Sequence, residues 1–209
     1  MSLCFVLTGS LEYQAQSPDE GALVGAARNF GFVFKSRTPS TITIEVQGEE
    51  QVYELLCILD FNNVRKRMSV IVRKDGKVTL LSKGADTIMF DLLSPASAEL
   101  QELTTHHLND FAQTGLRTLV LAYKDIDIGY YDEWKGRHHE ASIALEDRDA
   151  KLDAIYEEIE KDMLLVGATA IEDKLQDGVP ETIANLALAG IKIWVLTGDK
   201  QGVFLLLFL

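Results

Sequence analysis

Through the middle of the chain apolar and polar positions alternate with the two-residue period of a strand. Met68, Val70 and Val72 alternate with Ser69, Ile71 and Arg73, and a second run extends from Val78 to Leu81. Asp75-Gly76 between them supplies the positive φ angles that a two-residue hairpin loop wants. Phe61 closes one end of this stretch in a polar Asn62-Asn63 setting, and Lys83-Gly84-Ala85 leaves the other. Antiparallel pairing brings those two ends together, so an aromatic face and an ammonium are expected on one rim. Thr41 to Val46 alternates like a half-buried strand, Val52 to Leu59 reads as another, and Gly48-Glu49-Glu50 makes the turn between them. Together these segments predict an antiparallel sheet of at least four strands.

Helical periods flank the strands. Ser17-Pro18-Asp19-Glu20 is a helix start, with Ser at the N-cap, Pro at the first position and Glu at the third. Leu23, Ala26, Ala27 and Phe30 then share a face, and Gly31 ends the helix. Further helices are expected from Ser94 to Thr114, from Tyr130 to Leu145, and around Leu152, Ile155, Tyr156 and Ile159. Leu116 to Tyr123 is a strand with Arg117 at its start, whereas residues 1–13 are weakly patterned. Beyond Met163 the pattern changes. Met163 to Ala170 reads as an apolar strand, Asp177 to Leu188 as a helix and Ile191 to Leu196 as a second buried strand. That order predicts a βαβ unit with parallel pairing, and Thr197-Gly198-Asp199 follows at a strand's carboxyl end, where such folds place ligands. The fold class expected is therefore α/β (α+β): an antiparallel sheet flanked by helices, followed by a βαβ fragment.

Composition narrows the function. The chain has 209 residues, 47% of them hydrophobic, and a formal charge of −12, which argues against a general nucleic-acid binder. Within that acidic background Arg65, Lys66, Arg67, Arg73, Lys74 and Lys77 form a basic island beside Phe61. A ring to stack on and cations for phosphate suit a nucleotide. Cys4 and Cys57 have no pair spacing, so a reducing compartment is expected. His106-His107 and His138-His139 lack partners at metal-ligand spacing, and no metal site is assigned. No apolar stretch approaches a membrane span, which predicts a soluble chain.

Phe61 to Val72 and Lys83-Gly84-Ala85-Asp86, with Ser17-Pro18-Asp19-Glu20 upstream, resemble the nucleotide-binding domain of a P-type ATPase of the type IV branch, the phospholipid flippases. The resemblance runs from about Leu11 to Lys200 and implies a nucleotide-binding domain over 1–162 and part of a HAD-like phosphorylation domain over 163–200. By carry-over, Phe61 stacks on the adenine of ATP, Lys66, Lys83 and Gly84 line the pocket, Glu20 faces the base and Arg117 reaches the phosphates. Thr197, Gly198 and Asp199 belong to the phosphoryl end. Each has a plainer alternative: Glu20 as a capping-box acceptor, Phe61 as core, Lys83 as a solvated strand end, Arg117 as a surface ion pair, and Thr197 and Asp199 as a turn. The family enzyme uses ATP and magnesium to move phospholipid between leaflets. Its membrane helices and accessory subunit are implied as partners, and this domain lies on the cytoplasmic face.

Two departures qualify that expectation. The family's phosphorylated Asp sits in an Asp-Lys-Thr-Gly-Thr motif that does not occur here, and the similarity stops at Gln201, before an apolar stretch over 201–209. The chain by itself is therefore expected to bind ATP without turning it over. A non-catalytic fragment that modulates a full-length flippase is the alternative function.

Overall fold

A computed structural model describes residues 4–7, 11–15, 17–172 and 177–194. In chain order its elements are β1 (Cys4–Leu7), β2 (Leu11–Gln14), α1 (Pro18–Asn29), β3 (Phe32–Arg37), β4 (Thr41–Val46) and β5 (Glu49–Leu59). Next come β6 (Arg67–Lys74), β7 (Lys77–Gly84), α2 (Asp86–Phe90) and, after a 3-10 turn at Pro95–Ser97, α3 (Ala98–Gln113). The remainder is β8 (Arg117–Ile126), α4 (Ile128–Ser142), α5 (Arg148–Ile159), β9 (Leu164–Ile171) and α6 (Val179–Leu188). Strands β3 to β9 form one seven-stranded sheet in sequence order, every neighbour antiparallel, and β1 pairs with β2 separately. The α+β architecture, an antiparallel sheet flanked by helices, is the one expected from the sequence.

The central hairpin forms as its pattern dictates. Lys74 pairs with Lys77, Asp75 and Gly76 take φ of 50° and 79°, and the ladder runs on to Arg67 opposite Gly84. Two positive φ angles in a two-residue loop match the right-handed twist of the flanking strands. The β4–β5 turn is tighter than expected, because Gln47 and Gly48 take the positive φ angles and Val46 already pairs with Glu49. Strand β3 and helix α2 form in addition to the elements that the sequence pattern predicts. Alternation divides the sheet into two faces. Ile71, Val78, Leu80 and Val120 point into a core with Met89, Leu108, Trp134, Ile159 and Met163 from the helices and the loop before β9. Met68, Lys83 and Leu121 are register neighbours on the opposite face.

The region beyond Met163 differs from its expected βαβ form. The strand there is present as β9, but it pairs antiparallel with β8, Arg117 opposite Ile171, and so completes the main sheet. Helix α6 begins with Pro180 in its first turn, as read from the sequence. Residues 191–194 form no strand, and Ile191 and Trp194 are 53% and 83% exposed, so no second buried strand exists over those positions. An apolar run becomes a strand only with a ladder to join, and none is formed there. The stretch over 195–209 lies outside the described residues.

Candidate functional site

A cleft of about 690 Å³ opens where α1 passes over the cleft-side face of the sheet, lined by Ser17, Asp19, Glu20 and Leu23 from α1. Asp60 and Phe61 line it from the loop after β5, and Lys66, Met68, Lys83, Gly84 and Leu119 complete it. Five of the residues expected from the sequence to form a nucleotide pocket, Glu20, Phe61, Lys66, Lys83 and Gly84, are therefore brought together, although Glu20 and Lys83 are 63 positions apart in the chain.

Phe61 sits on a loop organised by its neighbour. Asn62 Oδ1 accepts from Val64 N at 3.1 Å and Arg65 N at 2.7 Å, and the Asn62 carbonyl accepts from Lys66 N at 2.9 Å. These bonds satisfy the loop amides locally, and the Phe61 ring is 58% exposed. It is not a core residue. On α1, Ser17 Oγ accepts from Glu20 N at 3.2 Å, the N-cap that the sequence predicts. The Glu20 carboxylate does not close a capping box. Its Oε1 accepts from Lys83 Nζ at 3.1 Å, while Oε2 is buried with no partner among the described residues. Lys83 is therefore a partly buried, paired cation rather than a solvated strand end. Gly84 is required by close approach, since a Cβ there would lie 2.6 Å from Arg67 Cβ and 2.9 Å from the Lys66 carbonyl. Arg117, two residues before Leu119 on β8, has its Nη1 3.4 Å from Asp19 Oδ2. Thr197, Gly198 and Asp199 lie outside the described residues.

The basic island is dispersed. Arg65 and Arg67 are buried, not directed at solvent, and share the fully buried Glu160: Arg65 Nη2 donates to Oε1 at 2.5 Å and Arg67 Nε to Oε2 at 2.7 Å. Ser69 Oγ adds a bond to Oε1 at 2.6 Å. Arg65 also donates from Nη1 to the Asp60 carbonyl at 2.7 Å, and its guanidinium lies 4.8 Å from the centre of the Tyr156 ring. Burial is the main cause pushing the Tyr156 phenol up from its ordinary value. Arg73 makes a bidentate pair with Glu54, Lys77 pairs with Asp125, and Lys74 bonds Gln51 over the Tyr53 ring. Of the six residues in the island, Lys66 is the one that lines the cleft.

The walls formed by Leu23, Met68 and Leu119 went unassigned in the sequence. Met68 was nevertheless within reach, since the hairpin register places it opposite Lys83. The cleft thus offers an exposed aromatic face, a buried unpartnered carboxylate oxygen, two ammonium groups and apolar walls, a donor set that fits an amino-substituted planar base carrying an anionic group. Among the described residues no three His, Cys, Asp or Glu side chains cluster as they would around a metal ion.

Fold and cleft together define an α+β domain whose antiparallel sheet and helix α1 form a cleft bearing an exposed aromatic ring and two ammonium groups. The chain matches the family described as P-type ATPase, cytoplasmic domain N, over residues 9–178, and it belongs to that family. It is 64% identical over 208 residues to Phospholipid-transporting ATPase ID of Mus musculus, a match covering 96% of this chain and 17% of that protein. The Homo sapiens protein of that name is 62% identical over the same shares, and Phospholipid-transporting ATPase DRS2 of Saccharomyces cerevisiae is 52% identical, over 94% of this chain and 15% of its own. The chain thus spans about one sixth of the length of these curated relatives.

Proposed function

We propose that the cleft binds ATP, and that the domain supplies nucleotide to a phospholipid-transporting ATPase of which it is one part. The observation that carries this reading is Glu20 Oε2, a buried acceptor without a donor in a cleft faced by an exposed phenyl ring. Leaving such a group unmet is unfavourable by about 1–3 kcal/mol, and the exocyclic amine of adenine supplies the missing N–H. The base stacks on Phe61, Lys66 and Lys83 line the pocket around it, and the phosphates lie toward Arg117.

In the whole protein the Thr197-Gly198-Asp199 segment belongs to the phosphoryl end, magnesium accompanies the nucleotide there, and an accessory subunit and membrane helices complete lipid transport. The residues described here bind and orient the nucleotide; the chemistry of phosphoryl transfer is supplied elsewhere. A titration followed by amide chemical shifts tests the reading. ATP is expected to move the signals of Glu20, Phe61, Lys66 and Lys83 with a dissociation constant on the order of 0.1–1 mM, about −4 to −5.5 kcal/mol. GTP, which presents an acceptor where adenine presents the amine, is expected to bind about tenfold more weakly. Equal shifts with both nucleotides, or shifts confined to the far side of the sheet, would refute it.

A further inference from the structure

Among the described residues, helix α5 and Glu160, the residue that caps its C-terminal end, contribute nothing to the lining of the cleft, yet they hold the loop that does. Asp153, Tyr156 and Glu160 follow a spacing of three and four and so share one helix face. Asp153 Oδ1 accepts from Asn62 Nδ2 at 3.2 Å, Tyr156 lies under the Arg65 guanidinium, and Glu160 binds Arg65 and Arg67. We propose that Glu160 is a positioning residue for nucleotide binding: by drawing Arg65 and Arg67 to one buried carboxylate, it fixes the 60–66 loop so that Phe61 and Lys66 face the cleft. The proposal rests on the ATP reading above.

Three features carry it. Lys66 has a φ of +48°, in the left-handed region that a long side chain seldom adopts and that persists only where its surroundings impose it. The residues on either side of it are the two anchored arginines, so with both flanks drawn inward Lys66 is the residue left to line the cleft. The same Arg65 guanidinium that Glu160 holds also binds the Asp60 carbonyl, which sets the peptide immediately before Phe61. Finally, the cluster buries two guanidinium groups against one carboxylate. Such clusters seldom add more stability than apolar side chains of the same volume, and their best-supported use is to specify one conformation.

The test compares Glu160→Gln with Glu158→Gln in the full 209-residue chain. Glu158 lies on the same helix and pairs with Arg137 and Tyr130, away from the loop. Amide hydrogen exchange is read at Arg65, Lys66 and Ala85, whose N–H groups bond Asn62 Oδ1, the Asn62 carbonyl and the Lys66 carbonyl. In folded Glu160→Gln, exchange at these amides is expected to accelerate about tenfold while β4 and β8 are unaffected, and the ATP dissociation constant is expected to rise about tenfold. Glu158→Gln is expected to change neither. Unchanged exchange in folded Glu160→Gln, faster exchange with unaltered ATP affinity, or equal acceleration in Glu158→Gln would each overturn the proposal. Should Glu160→Gln fail to fold, Arg65→Lys, which keeps a cation for Glu160 and loses the arm to Asp60, is expected to loosen the same three amides, and unchanged exchange there overturns it equally. A wild-type chain that binds no ATP shows failure of the nucleotide reading instead, in a measurement that needs no variant.

Discussion

Phe61→Ala separates the binding role of this ring from a packing role, because the two predict opposite rankings of its effects. A fully buried Phe truncated to Ala lowers stability by about 3–5 kcal/mol through lost burial and the cavity left behind. Phe61 is 58% exposed, so less than half of that surface is removed from water and little cavity remains. The expected loss is about 1–2 kcal/mol, or roughly 2–8 °C in melting temperature for a domain of this size. Stacking of a base on an aromatic ring contributes about 1–3 kcal/mol, which raises the ATP dissociation constant about 5- to 150-fold. Against a total binding free energy of about −4 to −5.5 kcal/mol, that is a large share. The assay is a thermal melt and an ATP titration on wild type and variant, with Lys83→Ala as a companion expected to weaken binding while melting nearly as wild type does. A Phe61→Ala protein that melts far earlier yet binds ATP normally when folded returns Phe61 to the core and removes the stacking model.

Glu20→Ala is expected to bring the affinities for ATP and inosine triphosphate together, since the buried acceptor that distinguishes an amine from a carbonyl is gone; a preserved preference for ATP in competition titrations would place the base elsewhere. Gly84→Ala is expected to destabilise the domain by about 1–3 kcal/mol in urea denaturation, because the new methyl meets Arg67 Cβ at 2.6 Å and backbone at 2.9 Å; a neutral result would show that β6 and β7 can part there freely. Stability should also fall at alkaline pH. Burial pushes the Cys57 thiol from 9.0 up to about 11 and the Tyr131 phenol from 10.0 up to about 12. Above the ordinary values the unfolded chain releases these protons while the folded chain keeps them. The contribution is therefore whole below pH 9.0 and is lost as pH rises toward 12. Cys57→Ala should flatten the part of that decline between 9.0 and about 11 in urea melts across pH, and an unflattened curve would assign the loss to other groups.

What the sequence determined by itself is what neighbouring residues decide among themselves. The β6–β7 hairpin follows from alternation and Asp75-Gly76, and the start of α1 from Ser17 and Pro18, because turn geometry and capping act within a few positions. Hairpin register then sets Met68 opposite Lys83 and brings the segment just before β6 to the Lys83 end, and family resemblance adds Glu20. The tertiary structure decided the rest. Strand β9 carries no mark of its partner, and its apolar run is as suited to a parallel unit as to the antiparallel edge beside β8 that it occupies. The basic run read as one surface, since arginines are usually exposed, yet Arg65 and Arg67 turn inward to Glu160, 95 and 93 positions away. Glu20 was open to a capping role or a cleft role by local rules alone; the arrival of Lys83 over its carboxylate left one oxygen bound and the other buried without a partner. A charge pair of that kind depends on which strands the sheet sets side by side, and sequence distance carries no trace of it.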